Sequence, residues 1–254
     1  MDQSRLTNHS LSARRAEIYR ALHTGTDGDV QYYSDLVRSG DRVLELGCGA
    51  GRISLPLARL GAKVTCVDID IDQLDLMRMH ANDEALDIRS YQSDIASIDL
   101  EETFDFVIIA YNTLYCLLTE EAQLKVLAVA TQHLRSGGTL AMDGYLLPPT
   151  EDYEYISDES YEPLTVLTLN DGLIIGVEER DIHDQPAQRC DVHYRYRTEG
   201  GESYEEMVSH RYLFIAQLHE LLEAVGLRVI QINEDFAGTP LSDGANHWIL
   251  LAKK

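Results

Sequence analysis

Three glycines alternate in a short segment that directly follows an apolar run, "VLELGCGAGR" at positions 43–52. The residues Val43–Leu46 have the pattern of a buried strand, and Gly47, Gly49 and Gly51 follow before a helical pattern begins. Glycine costs roughly 0.5–1 kcal/mol of conformational entropy relative to alanine in regular structure. Because three glycines fall within five residues, the segment predicts a loop whose backbone lies directly against a ligand.

An acidic residue at the end of the next strand pattern indicates that this ligand is nucleotide-sized. Asp68 lies 19 residues after Gly49, at the spacing where a carboxylate accepts both hydroxyls of an adenosine ribose. In open α/β sheets, ligands bind outside the carboxyl ends of the strands. A dinucleotide fingerprint would need a small residue at the position of Arg52, and a P-loop would need a Gly-Lys-Ser/Thr sequence. Neither is present, so the sequence argues against a diphosphate site.

Strand and helix patterns alternate along the chain around this loop. Strand patterns lie at 41–47, 62–70, 88–95, 104–112 and 139–146, and helical patterns lie at 12–20, 27–40, 52–61, 73–84 and 119–138. Thr119 is expected to cap the last of these helices, which runs to Gly138 with Leu134 on its apolar face. Such alternation predicts a parallel sheet with right-handed crossovers, which is a doubly wound α/β fold.

The alternation is interrupted after Leu147 by runs of alternating, β-branched and aromatic residues. Asn170, Asp171 and Gly172 join two of these runs with a strong hairpin signal, so we expect an antiparallel β insertion. A helix and two strands follow it. The predicted division is an N-terminal helical cap at 1–40, an α/β core at 41–147, the insertion at 148–212, and a C-terminal helix with two antiparallel edge strands at 213–254.

The composition indicates a soluble, cytoplasmic protein with no nucleic-acid partner. The 254 residues are 44% hydrophobic, and 43 Asp and Glu against 21 Lys and Arg give a net charge of -22, which repels phosphate backbones. The short basic set Arg5, Arg14, Arg15 and Arg20 is typical of the solvated side of a helix. No long apolar run, leader pattern or C-x-x-C pair is found, so we expect no membrane span, reduced cysteines and no metal site.

Five motifs in order, "VLELGCGAGR", "VTCVDID", "YQSDIASI", "FDFVIIAYNTL" and "LRSGGTLAMDGY", resemble those of class I S-adenosylmethionine-dependent methyltransferases. The resemblance covers about residues 30–147 and the C-terminal helix and strands. It implies a Rossmann-like sheet of seven strands whose sixth and seventh strands form an antiparallel edge, with the insertion between strands five and six. The C-terminal half is also similar to small-molecule methyltransferases of natural-product pathways, of the amino-sugar N-methyltransferase type.

The resemblance implies S-adenosyl-L-methionine as the cofactor and S-adenosyl-L-homocysteine as its product. The residues that it assigns to the cofactor are Tyr19, Tyr33, Gly47, Gly49, Arg52, Asp68, Ile69, Asp94, Ile95, Ala110 and Tyr111. The glycines would approach the amino-acid portion, residues 68–69 the ribose and adenine, and residues 94–95 the edge of the adenine ring. Residues 110–111 would border the methionine portion and the methyl group, and the two remaining tyrosines would close the pocket.

Four of these residues have an alternative structural interpretation. Asp68 could cap the helix that follows it, and Asp94 could form a turn before Ile95. Tyr33 could pack in the core or in a dimer contact. Arg52 could pair with an acidic neighbour instead of reaching a ligand carboxylate.

The residues leave the atom that accepts the methyl group open among nitrogen, oxygen and carbon, with nitrogen or oxygen of a small molecule as the prediction. An amine only has to arrive deprotonated, whereas a hydroxyl usually needs a general base within hydrogen-bond reach. Candidate bases are Tyr111 and Asp143 at strand ends, Tyr145, and His210 on the insertion. The predicted function is methyl transfer to a small molecule of secondary metabolism. The alternatives are a non-catalytic partner subunit and a different reaction, such as cyclisation, in the same fold.

The insertion is rich in tyrosine, since eight of the 14 tyrosines lie between Tyr145 and Tyr212. Interleaved with acidic residues, they could form an electronegative aromatic pocket for a protonated amine or an aromatic substrate. Tyrosine is also simply common in antiparallel sheets. An open edge of this sheet could pair with a second subunit, so a homodimer through the insertion is a further hypothesis.

Overall fold

This computed structural model describes residues 10–147 and 160–254, and the alternation expected from the sequence is present in them. The strands are β1 (Arg42–Leu46), β2 (Lys63–Asp68), β3 (Ile88–Gln92), β4 (Phe104–Ile109), β5 (Leu134–Tyr145), β6 (Glu162–Thr168), β7 (Ile174–Asp184), β8 (Arg189–Thr198), β9 (Ser203–Arg211), β10 (Arg228–Asn233) and β11 (His247–Lys253). The helices are α1 (Arg15–Leu22), α2 (Asp29–Leu36), α3 (Ser54–Arg59), α4 (Ile71–Asp83), α5 (Glu120–His133) and α6 (Ile215–Ala224).

A seven-stranded sheet has the order β10-β11-β5-β4-β1-β2-β3. Its five strands from β1 to β5 pair in parallel, and β11 is antiparallel to both β5 and β10. The strand order reverses at β1, which has β4 on one side and β2 on the other. The predicted doubly wound fold with an antiparallel edge is therefore confirmed, and the glycine loop after β1 lies at its switch point.

The central strands are buried on both faces, which explains their unbroken apolar runs. On β4, Val107 and Ile109 belong to a core cluster with Trp248, whereas Ile108 belongs to a second cluster with Leu74. The first cluster includes residues of α5 and α6, and the second includes residues of α2, α3 and α4. Helices thus cover both faces of the sheet, and the packed sheet positions the site residues at the carboxyl ends of its strands.

The expected end of the helix at 119–138 is wrong. Thr119 caps α5 through its side chain as expected, but the helix ends at His133, and Leu134 begins β5 opposite Phe104. The His133 ring bonds to the carbonyl of Val129 in the last turn and to the amide of Leu100 outside the helix. A buried residue in a strand can satisfy the same apolar position as one on a helix face, so the periodicity overran the true end.

The expected insertion is also confirmed as a separate antiparallel sheet of order β6-β7-β8-β9, called the insertion sheet below. The amide of Gly172 donates to the carbonyl of Leu169 at 2.9 Å, which closes the predicted hairpin between β6 and β7. Strand β7 continues to Asp184, beyond the apolar run that predicted it. The part of the predicted insertion at 148–159 lies outside the described residues, as does Arg5 of the basic set.

The N-terminal segment packs on the insertion sheet. Leu11, in a short 3-10 turn before α1, and Ile18 of α1 form a third apolar cluster with Ile175, Val177 and Tyr196. The amide of Leu11 also donates to the carboxylate of Glu202 at 2.7 Å. Two segments far apart in sequence therefore form one apolar layer.

Within residues 10–147 and 160–254, no helix has the length and apolar character needed to cross a membrane. No group of three or more His, Cys, Asp or Glu side chains has the arrangement of a metal site in the same residues.

Candidate cofactor and acceptor site

The glycine loop is open to a ligand at its middle glycine. Gly49 has φ +51°, and a Cβ placed on it would meet nothing within 4 Å. A Cβ on Gly47 would instead collide with Thr113, and one on Gly51 would collide with Met77. Two of the glycines are thus required by packing, and Gly49 is the position where the backbone faces free space.

Asp68 ties this loop to the end of β2. Its Oδ2 accepts from the amide of Gly49 at 2.7 Å, and its Oδ1 accepts from the amide of Asp70 at 2.9 Å. Burial raises the pKa of Asp68, while these amide hydrogen bonds act in the opposite direction. The residue that caps α4 is Asp70, which accepts from the amides of Asp72 and Gln73. Asp68 is therefore not the helix cap, and its oxygens keep lone pairs for two hydroxyl donors.

The residues assigned to adenine lie beside Asp68. The Ile69 side chain, just after β2, is 70% exposed and is therefore accessible to a ligand. The amide of Ser93 donates to the carbonyl of Asp68 at 3.0 Å, which brings the loop after β3 alongside. In that loop Asp94 accepts from the amide of Ala96 at 2.8 Å, so the turn predicted as an alternative is present, and the side chain of Ile95 is buried.

Arg52 has the acidic partner that the sequence left open. It forms an ion pair with the buried carboxylate of Asp29 on α2, and its guanidinium lies 4.9 Å from the ring centroid of Tyr111. Tyr111 follows β4 with φ +54°, a left-handed conformation that is strained for a residue with a side chain. Burial raises the pKa of the Tyr111 hydroxyl, and the charge of Arg52 opposes that rise. Arg52 thus holds the Tyr111 ring close to the segment that joins the glycine loop to α3.

Asp143 accepts a hydrogen bond from the backbone of Tyr111. It accepts from the Tyr33 hydroxyl at 2.6 Å and from the Tyr111 amide at 2.9 Å, and its Oδ2 lies 3.3 Å from Nε2 of His247. Asp143 is only 2% exposed and Tyr33 is 0% exposed. The expectation of a free base at Asp143 is therefore not supported by its surroundings. Tyr33 likewise contacts Asp143 and core residues, and has no exposed surface to offer a cofactor.

A set of aromatic rings forms the opposite wall. The ring centroid of His23, just after α1, lies 4.1 Å from that of Tyr19, 6.2 Å from Tyr111 and 5.4 Å from Tyr194 on β8. The Nε2 atom of His23 is buried and has no hydrogen-bond partner within the described residues. Burial lowers the pKa of His23 to about 4, so this imidazole is neutral at physiological pH. Nothing in the sequence distinguished His23, because a lone histidine after a helix carries no pattern.

His210 faces the same space from β9. Its ring lies 5.7 Å from that of Tyr145, and its buried Nδ1 likewise has no partner in the part of the chain that is described. Burial lowers its pKa to about 4, and its charge would act on His23. The two imidazoles therefore lie near each other, with unsatisfied ring nitrogens that a bound polar molecule could satisfy.

Tyr19 connects this wall to the cofactor residues. Burial raises the pKa of its hydroxyl, with further contributions from Cys116, Tyr111 and Asp68. Burial raises the pKa of the Cys116 thiol to about 11. The structure thus brings Tyr19, Gly49, Arg52, Asp68, Ile69, Tyr111 and His210 to one cleft, whereas Tyr33, Ile95, Ala110 and Asp143 are buried next to it.

The sheet order, the open glycine loop at the switch point and the carboxylate that ties it to β2 are the features of the class I methyltransferase fold. S-adenosylmethionine is the cofactor of methyltransferases with this fold. The free space beside Gly49 and the exposed side chain of Ile69 fit such a group.

Known proteins agree with this assignment. Residues 43–138 match the family described as a methyltransferase domain. The cypemycin N-terminal methyltransferase of a Streptomyces species is 33% identical over 104 residues, which cover 41% of this chain and 42% of that protein. The CcbJ methyltransferase from Streptomyces caelestis is 25% identical, with a TM-score of 0.74 over 89% of each chain. The amino pentose methyltransferase CalS10 from Micromonospora echinaspora, solved with S-adenosylmethionine, is 16% identical, with a TM-score of 0.71 over 93% of this chain and 97% of that one.

Proposed function

We propose that this protein transfers a methyl group from S-adenosylmethionine to a nitrogen or oxygen of a small molecule in natural-product metabolism. The observation that carries the proposal is one cleft with two different walls. One wall has the open side of Gly49 and the tethered Asp68, and the other has the unsatisfied ring nitrogens of His23 and His210. The amino pentose methyltransferase and the cypemycin N-terminal methyltransferase among the similar proteins support a small or terminal acceptor.

The roles of the cofactor residues are part of this proposal. When bound, S-adenosylmethionine supplies a methyl group on a positively charged sulfur. Asp68 holds the ribose hydroxyls, Ile69 packs on the adenine, and Asp94 accepts from its amino group. Arg52, held in place by Asp29, offers its remaining guanidinium hydrogens to the methionine carboxylate.

The contribution of the chain itself to the rate is alignment and the exclusion of water. Holding two reactants in line can provide roughly 7–11 kcal/mol of the barrier. Asp143 fixes the Tyr111 backbone through the amide hydrogen bond at 2.9 Å, and Arg52 fixes the Tyr111 ring. The insertion sheet and α1 cover the cleft as one apolar layer. The proposal includes a homodimer formed through the insertion. It also includes the four-part division of the chain at 1–40, 41–147, 148–212 and 213–254.

Calorimetric titration of S-adenosylmethionine and S-adenosylhomocysteine into wild type and Asp68→Ala tests the cofactor half. We expect the substitution to weaken binding by about 1.5–3 kcal/mol, because hydrogen bonds to a charged group are lost. Asp75→Ala is the matched control, since Asp75 is an exposed residue on α4 that pairs with Arg78. Folded wild-type protein that binds neither compound would contradict the proposal.

A further inference from the structure

Three carboxylates share one face of the insertion sheet. Glu179 on β7 lies directly opposite Tyr194 on β8, and Tyr194 lies directly opposite Glu206 on β9. Asp181 is two residues further along β7. Directly opposed residues of an antiparallel sheet point to the same side, as do residues two apart on one strand. Glu179, Asp181 and Glu206 therefore form one acidic row around Tyr194, called the inner row below.

The inner row faces the cleft. Val177 and Tyr196, which flank it on the same face, are buried against Leu11 and Ile18 of the N-terminal segment. Tyr194 itself is buried, and its ring lies 5.4 Å from that of His23. The row thus adjoins, through Tyr194 and His23, the aromatic rings that border the proposed site of methyl transfer.

The acidic residues on the two faces of the insertion sheet differ in their ion-pair partners. On the outer face Arg195 lies between Glu178 and Glu205, with ion pairs of 3.5 Å and 2.8 Å, and Arg197 adds a second contact to Glu178. On the inner face neither Glu179 nor Glu206 forms an ion pair with any of the described residues. Asp181 has His183 at 4.0 Å, and the charge of His193 also acts on it.

Half-buried carboxylates without a cation are costly unless something else neutralises them. Burial raises the pKa of Glu179, Asp181 and Glu206. Arg15 acts on Glu206 from a distance, but its guanidinium is already bound to Asp70 at 2.5 Å. Within the described residues the outer acids have arginine partners, whereas Glu179 has a hydrogen bond with Tyr194 and neither Glu179 nor Glu206 has an ion pair. This is the arrangement expected where a ligand brings the positive charge.

A second, independent feature points to the same ligand. Tyr196 is 0% exposed, and its hydroxyl has no hydrogen-bond partner within the described residues. Tyr196 lies two residues along β8 from Tyr194 on the same face, and the charges of both Glu206 and Glu179 act on its hydroxyl. Its ring is stacked between those of Tyr194 and Tyr204, which fixes its direction. A buried, unsatisfied hydroxyl of fixed direction indicates a missing polar partner.

We propose that the methyl acceptor is a small amine and that its ammonium form is recognised by Glu179 and Glu206, with the Tyr196 hydroxyl on the same face and Asp181 at the side. One of these carboxylates takes a proton from the ammonium, which leaves the nitrogen with the lone pair that it needs as a methyl acceptor. This inference rests on the proposed function, since it names the acceptor class of that site. A neutral alcohol offers no charge to the inner row and leaves the carboxylates unpaired. The inner row therefore selects nitrogen acceptors over oxygen acceptors of the same shape.

The test compares amine and alcohol probes on the full chain loaded with S-adenosylhomocysteine. The probes are benzylamine against benzyl alcohol and glucosamine against glucose, titrated calorimetrically. We expect at least one amine to bind about tenfold or more tightly than its alcohol, which corresponds to about 1.4 kcal/mol. The double variant Glu179→Gln/Glu206→Gln should lose this preference. The matched control Glu178→Gln/Glu205→Gln, on the same strands but the opposite face, should keep it.

The outcomes distinguish a failure of the proposed function from a failure of the amine inference. Absence of S-adenosylhomocysteine binding by wild type would refute the proposed function. Normal binding of that compound without any amine preference, or an equal effect of the inner and outer variants, would overturn only the amine inference. Tyr196→Phe keeps the ring stack and removes the hydroxyl, and it should weaken amine binding by about two- to tenfold even if the double variant fails to fold.

Discussion

Tyr33→Phe removes one hydroxyl from the hydrogen-bond network that positions Tyr111. The hydroxyl donates to Asp143 at 2.6 Å, and both residues are shielded from water, so no solvent molecule replaces the lost bond. Hydrogen bonds to charged groups contribute about 1.5–3 kcal/mol, and Asp143 keeps the Tyr111 amide and His247. We therefore expect the free energy of unfolding to fall by about 1.5–3 kcal/mol, measured by urea denaturation.

The neighbouring residue provides the control. Tyr32 is also a tyrosine on α2, but its buried hydroxyl has no partner within the described residues. Tyr32→Phe should leave the free energy of unfolding unchanged or raise it slightly, because it removes an unsatisfied polar group. Affinity for S-adenosylhomocysteine, measured by calorimetry, should fall a few-fold in Tyr33→Phe only. Equal effects of the two substitutions on stability would refute the reasoning.

Two further predictions concern residues near the loop. Gly49→Ala places a methyl group in the free space and should abolish S-adenosylhomocysteine binding with a modest loss of stability. Gly47→Ala places a methyl group against Thr113 and should chiefly destabilise the fold. Calorimetry measures the loss of binding, and urea denaturation measures the loss of stability. Burial raises the pKa of Glu45 from 4.5 to about 7, so the folded state holds a proton that the unfolded state releases. The free energy of unfolding should therefore fall as the pH rises from about 4.5 to 7, and this contribution of Glu45 should be constant above pH 7. The substitution Glu45→Gln should remove this pH dependence. A wild type and Glu45→Gln with parallel pH profiles would contradict this.

The cofactor half of the cleft was predictable because its signals are local. The glycine loop, Asp68 and Ile69 lie within one β-α-β unit, so the order of apolar runs fixes their relative positions. The distinction among the three glycines was not predictable, since it depends on Thr113 and Met77, which are distant in sequence. The misplaced end of α5 has a similar cause, because the apolar position at Leu134 suits a helix face and a strand equally well.

The network around Asp143 could not be predicted in the same way. Tyr33 and Asp143 are 110 positions apart, and neither lies in a pattern that specifies a side-chain partner. From the sequence each was a plausible contact for a ligand. Only the folded arrangement shows that they bond to each other and thereby support Tyr111.

The acceptor half depends on strand register, which composition does not reveal. Tyrosines and acids were visible along the insertion, but a shift of one residue in β8 against β7 would place Tyr194 beside Glu178 or Arg180 instead of Glu179. The observed register places Arg195 between acids on one face and leaves the other face acidic. Because only one of the two faces is neutralised by the chain itself, the excess of negative charge is directed into the cleft. That asymmetry is the strongest structural reason to expect a cationic acceptor.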